Sequence, residues 1–136
     1  MNISQLLKDR NSGFLKITFS RTHGDSLETA ISRMVFNVCP ADLTAINAVE
    51  AEDALSKMFS RDLAYGGKVM DPDVARRYAN DLPAECSGTE AKIFTNAHWE
   101  DDRLAGWNPV TKATFDVLIL IMSTDFAVSV LVEDED

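Results

Sequence analysis

The sequence predicts an α+β domain, a mostly antiparallel sheet with a C-terminal β-hairpin packed against three to four helices. Three observations predict it. The 136 residues suit one domain, long enough for one core and too short for two. Helical periodicity is grouped towards the first half. Two apolar runs, Thr114 to Met122 and Phe126 to Val132, flank the short turn Ser123-Thr124-Asp125 near the end, which reads as a hairpin. The expected organisation is one domain over 1–136, with 133–136 as an acidic tail.

The elements follow in chain order. Ile3, Leu6 and Leu7 recur at helical spacing behind a cap at Asn2 or Ser4, and Asn11-Ser12-Gly13 stops the segment. Phe14 to Phe19 is rich in strand formers, although Leu15 breaks the alternation. Arg21 to Gly24 is a turn. Asp25 and Glu28 stand in capping-box spacing before an apolar face of Leu27, Ile31, Met34 and Val35, and this helix must end before Pro40.

Asp42 to Val49 fits neither period well and reads as a strand, with the first turns of the next helix as the alternative. Ala51 to Tyr65 carries a helical stripe of Ala51, Leu55, Met58, Phe59 and Leu63. Asp53 and Lys57 pair at i, i+4, and Gly66-Gly67 supplies a left-handed stop. Asp71-Pro72 opens another helix, with Val74, Tyr78 and Leu82 on its face and Pro83 as its end. On its surface Asp73 is placed to neutralise Arg76 or Arg77.

Pro83 to Gly88 reads as a connection, Ala91 to Thr95 as a short strand, and Asn96 to Lys112 as an irregular loop. The unbroken run Val117 to Met122 predicts a central strand buried on both faces. Phe126 to Val132 alternates, which predicts a strand less completely covered.

Apolar residues make up 46% of the chain and charged residues 26%, ordinary for a folded globular chain. The formal charge is −9, which argues against a nucleic-acid partner, because phosphate contact needs Lys and Arg. It favours a basic protein partner. The imbalance is uneven: Met1 to Thr22 holds four bases and one acid, so the acidity lies beyond it. No basic stretch leads into a long apolar run at the start, so no export signal is expected and the predicted compartment is cytoplasmic. Cys39 and Cys86 then read as buried thiols. No membrane span is expected either: the run from Ala113 to Val132 would strand Asp116 and Asp125 in hydrocarbon.

Two histidines each precede an acid by two positions, His23-Gly24-Asp25 and His98-Trp99-Glu100. Either pair has the residue types for a metal or a proton relay. A small hydrolase or metal-dependent enzyme using His23 or His98 with Asp25, Glu100 or Asp116 is therefore one alternative reading. No phosphate loop, paired-cysteine, nucleophile-elbow or zinc-helix motif is present, and no cofactor is expected.

The most unusual segment runs from His98 to Pro109. It holds both tryptophans, Trp99 and Trp107, beside three consecutive acids, Glu100, Asp101 and Asp102. Tryptophan anchors many interfaces, and acids beside it steer a cationic partner. The competing reading is a lid: the tryptophans fold back over one end of the sheet while the acids are solvated. The tail Glu133-Asp134-Glu135-Asp136 reads either as solvated or as a second acidic contact.

The leading expectation is an acidic binding module, of the bacterial immunity or inhibitor kind, that neutralises a basic toxin or nuclease. Its expected contacts are Trp99, Glu100, Asp101, Asp102, Trp107, Glu133 and Asp134. A structural subunit that forms a homodimer through the last strand is the other alternative.

Overall fold

The computed structural model describes residues 2–10, 12–21, 26–32, 38–86, 91–123 and 125–135. Its elements are α1 (Ile3–Asp9), β1 (Phe14–Arg21), α2 (Leu27–Ser32), a 3₁₀ turn at Pro40–Asp42, β2 (Thr44–Ile46), α3 (Ala48–Ser60), α4 (Pro72–Cys86), β3 (Lys92–Thr95), β4 (Ala97–Glu100), β5 (Arg103–Trp107), β6 (Phe115–Met122) and β7 (Phe126–Asp134). Five strands form one antiparallel sheet in the order β1-β7-β6-β3-β2, and β4 pairs with β5 as a separate hairpin. This is the predicted α+β class with its C-terminal hairpin, β6 and β7, at the centre of the sheet.

Local chemistry explains the helix starts. The Asn2 side chain accepts the Gln5 amide at 3.0 Å and caps α1. Asn47 and Glu50 form a reciprocal capping box at the start of α3, which satisfies two backbone donors that the helix leaves unpaired. That box ends the ambiguity over Asp42 to Val49: Thr44–Ile46 is strand and the helix begins at Ala48. Ser26 caps α2 through the Thr29 amide. Asp25, the expected cap, lies outside the described residues, as do Met34 and Val35.

The sheet is covered on both faces. On one, Leu55, Met58 and Phe59 of α3, Leu82 of α4 and Leu6 of α1 pack on Val117, Ile119, Ile121, Val128, Val130 and Val132. On the other, Ala30 and Ile31 cover Leu120, Met122 and Ala127, while Val110 packs with Leu118 and Leu131. Burial on both faces accounts for the unbroken apolar run of β6. It also corrects the reading of β7, whose residues 127–132 are all buried.

Other expectations need correction. α3 ends at Ser60, not Tyr65, because Arg61 turns extended and bridges Lys68. Gly66, at φ +73°, serves the turn after Asp62 instead of stopping a helix. Pro83 lies inside α4. A proline costs one backbone hydrogen bond, and buried Ala79 and Leu82 hold the preceding turn in place. Arg76 pairs with Glu52 and Asp53 across to α3, not with Asp73. Cys39 is exposed, and the Cys86 side chain lies outside the described residues.

The last strand is also not an edge. β7 pairs with β1 on one side and β6 on the other, so a dimer through it is closed off by its own neighbours. Among the described residues, no helix is long and apolar enough to cross a membrane.

Candidate functional site

The segment read as an irregular loop is a hairpin. β4 and β5 pair from Ala97↔Trp107 to Glu100↔Arg103, with a bulge between His98 and Trp99. Asp101 and Asp102 form the two-residue turn, and Asp101 adopts φ 53°, a left-handed conformation that Asp tolerates better than most residues. Alternation turns Ala97, Trp99 and Leu104 towards the main core while His98, Glu100 and Arg103 stay exposed. Both predicted tryptophans therefore pack inward. Trp107 lies against Phe115 with ring centroids 5.1 Å apart.

α3 positions the tip of this hairpin. Glu50, Asp53, Lys57 and Arg61 follow helical spacing along one side of α3 and its end. The Lys57 ammonium sits 2.7 Å from the Asp53 carboxylate, donates to the Asp101 carbonyl and lies 5.7 Å above the Trp99 ring. Its hydrogen bond and charge hold the Asp53 carboxyl below the usual carboxylate range, against the opposing effect of burial; the Arg76 guanidinium adds to the depression. Arg61 reaches Asp102 at 3.4 Å. The Trp99 Nε1 proton is buried with no acceptor among the described residues, so the indole is held by packing and by the cation above it.

Two clefts flank the tip. One, of about 740 Å³, is floored by Ala45, Ile46 and Ala54 and edged by Glu50, Asp53, Asp101 and Asp102. The other, of about 430 Å³, lies towards the 61–66 turn and Phe115. Trp99, Asp101 and Asp102 line both, so the acidic tip is the ridge between them. Glu50, Asp53 and Lys57 of α3 were not among the expected contacts. Their helical spacing, Glu50-Asp53-Lys57, was the available signal.

The other expected residues divide. His98 and Glu100 face each other at 3.7 Å on the exposed side of β4. His23 and Asp25 lie outside the described residues. Asp116 is fully buried, and its carboxylate accepts from Asn96 Nδ2 at 2.9 Å, from the amides of Val110 and Thr111, and from the Thr111 hydroxyl. Those donors pin the 108–114 segment to β6, which is a structural task. Among the described residues no group of three or more His, Cys, Asp or Glu is arranged to hold a metal.

The acidic tail does not join the hairpin tip. Asp134 continues β7 and is buried at 4% exposure, its carboxylate 3.0 Å from the Arg10 guanidinium. It cannot contact a partner, because the residues after Val132 keep the strand's alternation and Asp134 falls on the core-facing side. Glu133 is half-buried and stands between Phe14 and Asp116 in the ladder. Glu135 accepts the amide and hydroxyl of Thr114.

Comparison with protein-family models, curated proteins and solved structures gave no match to this chain.

Proposed function

We propose that this chain is a protein-binding module that docks a basic partner on the ridge formed by the β4–β5 tip and the flanking side of α3, in the manner of an immunity or inhibitor protein. The observation that carries the reading is the placement of Glu100, Asp101 and Asp102 at an exposed turn between two clefts. A net charge of −9 adds long-range attraction for a cationic protein. The ridge is braced from behind by Trp99 and Lys57, so its acids are presented with little freedom to lose on binding. Of the expected contacts, Trp99 and Trp107 act as support for the surface, and Glu100, Asp101 and Asp102 as the surface itself.

The test is a charge-neutral tip, Glu100→Gln with Asp101→Asn and Asp102→Asn. Asn is chosen because it tolerates the left-handed turn at Asp101. Wild-type and variant chains are used side by side to capture partners at low salt, and association is then timed across a salt series. A basic partner should associate about tenfold more slowly with the variant at low salt, and with a shallower salt dependence. Equal association rates for the two chains at every salt concentration would remove the reading.

A further inference from the structure

β2 is the short edge of the five-stranded sheet, three residues paired with β3 alone. The chain on either side of it, 38–43 and 47–60, is described, and among the described residues no backbone bond from Thr44, Ala45 or Ile46 reaches an element other than β3. Thr44 and Ala45 are exposed and Ile46 is half-buried. All three line the cleft of about 740 Å³. Successive strand residues point to opposite faces, so a cleft that touches three in a row runs along the outer edge of the strand and not over one face. The outward N–H and C=O groups of β2 therefore open into the cleft, where they form a template for an added strand.

We propose that this edge takes up an extended segment of the basic partner as a sixth strand, with Lys or Arg at alternate positions and apolar residues between them. The inference rests on the ridge reading above and names what the ridge recruits. The two faces of the edge select that pattern. Thr44 and Ile46 point to the helix-covered face, since Ile46 pairs with Ile93 and packs against the main core. On that side α3 contributes Glu50 and Asp53 to the cleft, and the hairpin tip adds Asp101 and Asp102. Ala45 points the other way beside Phe94, which packs with Leu43 against the Ile31 and Met122 cluster. A strand laid on β2 thus meets carboxylates with one set of side chains and apolar surface with the other.

Charge complementarity favours a cationic occupant. The cleft holds four carboxylates and one ammonium, Lys57, and that ammonium is committed to Asp53 at 2.7 Å. Among the described residues Asp101 gives Lys57 its carbonyl and keeps its carboxylate unpaired. Glu50 accepts the Asn47 amide with one oxygen, and Asp102 holds Arg61 at 3.4 Å. These three carboxylates retain lone pairs for an incoming cation. The brevity of β2 adds selectivity: three residues offer few ladder bonds, which discourages indiscriminate pairing, so a strand stays only when its cations also reach the acids.

The probe is the peptide acetyl-Lys-Val-Lys-Val-Lys-amide, compared with the same peptide N-methylated at its second and third residues. Methylation keeps every charge and side chain but removes one backbone donor from each edge of the strand. Each peptide is titrated into the wild-type chain at low salt by NMR, and the exchange rates of the Thr44, Ala45 and Ile46 amides are read in the same samples. The unmodified peptide should slow exchange of at least one of these amides and bind about tenfold more tightly than the methylated one. Equal affinity of the two peptides, unchanged exchange throughout β2, or no binding of either at millimolar concentration overturns the inference and leaves the ridge reading to its own test.

The charge-neutral tip variant, Glu100→Gln with Asp101→Asn and Asp102→Asn, should weaken both peptides by a similar factor. A tip variant that binds both as the wild-type chain does would instead overturn the ridge reading, and this inference with it.

Discussion

Replacing Asp134 with Ala should be among the most destabilising single changes in this chain. The Arg10 side chain is fully buried and Asp134 is 4% exposed. Their contact spans most of the sequence, and it is not the only bond either group makes. Arg10 also donates to the carbonyls of Met58 at 2.7 Å and Arg61 at 2.9 Å, and to that of Ser12. Asp134 also accepts the Leu63 amide at 2.8 Å. One ion pair therefore ties the end of α1, the end of α3 and the end of β7 together.

Removing the carboxylate strands a buried guanidinium without its counter-charge, which costs about 3–5 kcal/mol, and it leaves the Leu63 amide without an acceptor. A domain of this size has only about 5–15 kcal/mol in total. At roughly 4 °C per kcal/mol, melting should drop by about 12–20 °C.

Urea unfolding at neutral pH measures the loss. Asp134→Asn should lose less, since it keeps an acceptor oxygen. Arg10→Met should lose a similar amount to Asp134→Ala, and the double variant much less than the sum, because each single change strands the other's charge. Salt should leave the loss largely intact, as buried pairs are poorly screened. An Asp134→Ala variant within about 0.5 kcal/mol of wild type, or singles that simply add, would refute the reasoning.

Two glycines with similar backbones should respond differently to Ala. At Gly13, φ is +67° and a Cβ would lie 1.6 Å from Asp134 Oδ1; at Gly66, φ is +73° with nothing within 4 Å. Gly66→Ala should cost only the left-handed penalty of about 1–2 kcal/mol, and Gly13→Ala clearly more, in the same urea assay. Tyr78 donates to Asp9 at 2.7 Å, and burial, with that hydrogen bond and the Asp9 charge, pushes its phenol up to about 12. The unfolded phenol ionises near 10, so the proton is held more tightly in the fold. This contribution is complete below pH 10 and disappears as pH rises through about 12. Tyr78→Phe should therefore flatten the loss of stability between those values, and unfolding curves at stepped pH that fall in parallel for both chains would contradict it.

Where burial is one-sided, the sequence was easy to read. α3 repeats apolar residues at 51, 55, 58 and 59 against a polar face, and α1 and α4 follow the same logic, so period sufficed. It failed where tertiary pairing overrode local signals. The β4–β5 hairpin turns on Asp101-Asp102, without the Gly that marks most two-residue turns, and a bulge at His98/Trp99 interrupts its alternation. The candidate ridge was half legible for the same reason: the three acids stand next to one another in sequence, but Glu50, Asp53 and Lys57 join them only through packing. Asp134 was misread because it sits among four acids. Carrying the period of Val128, Val130 and Val132 forward by two residues puts it on the core face, and composition conceals that.

The 22 acids of this chain therefore do different work, and salt can separate them. Asp134 is buried against the Arg10 guanidinium, so its charge is neutralised at short range and adds little to the field a partner meets at a distance, while Asp116 is buried and occupied by hydrogen bonds from Asn96, Val110 and Thr111. Asp53 is largely neutralised by Lys57 and Arg76. Glu100 and Asp101, and Asp102 with its looser 3.4 Å pairing to Arg61, lie where solvent and a partner reach them. Their contribution should fall off with ionic strength over a Debye length of about 8–10 Å, whereas the Arg10–Asp134 tie should not. A salt series run on both stability and association thus divides the structural acids from the recruiting ones, and a ridge whose effect persists at high salt would belong to the first group.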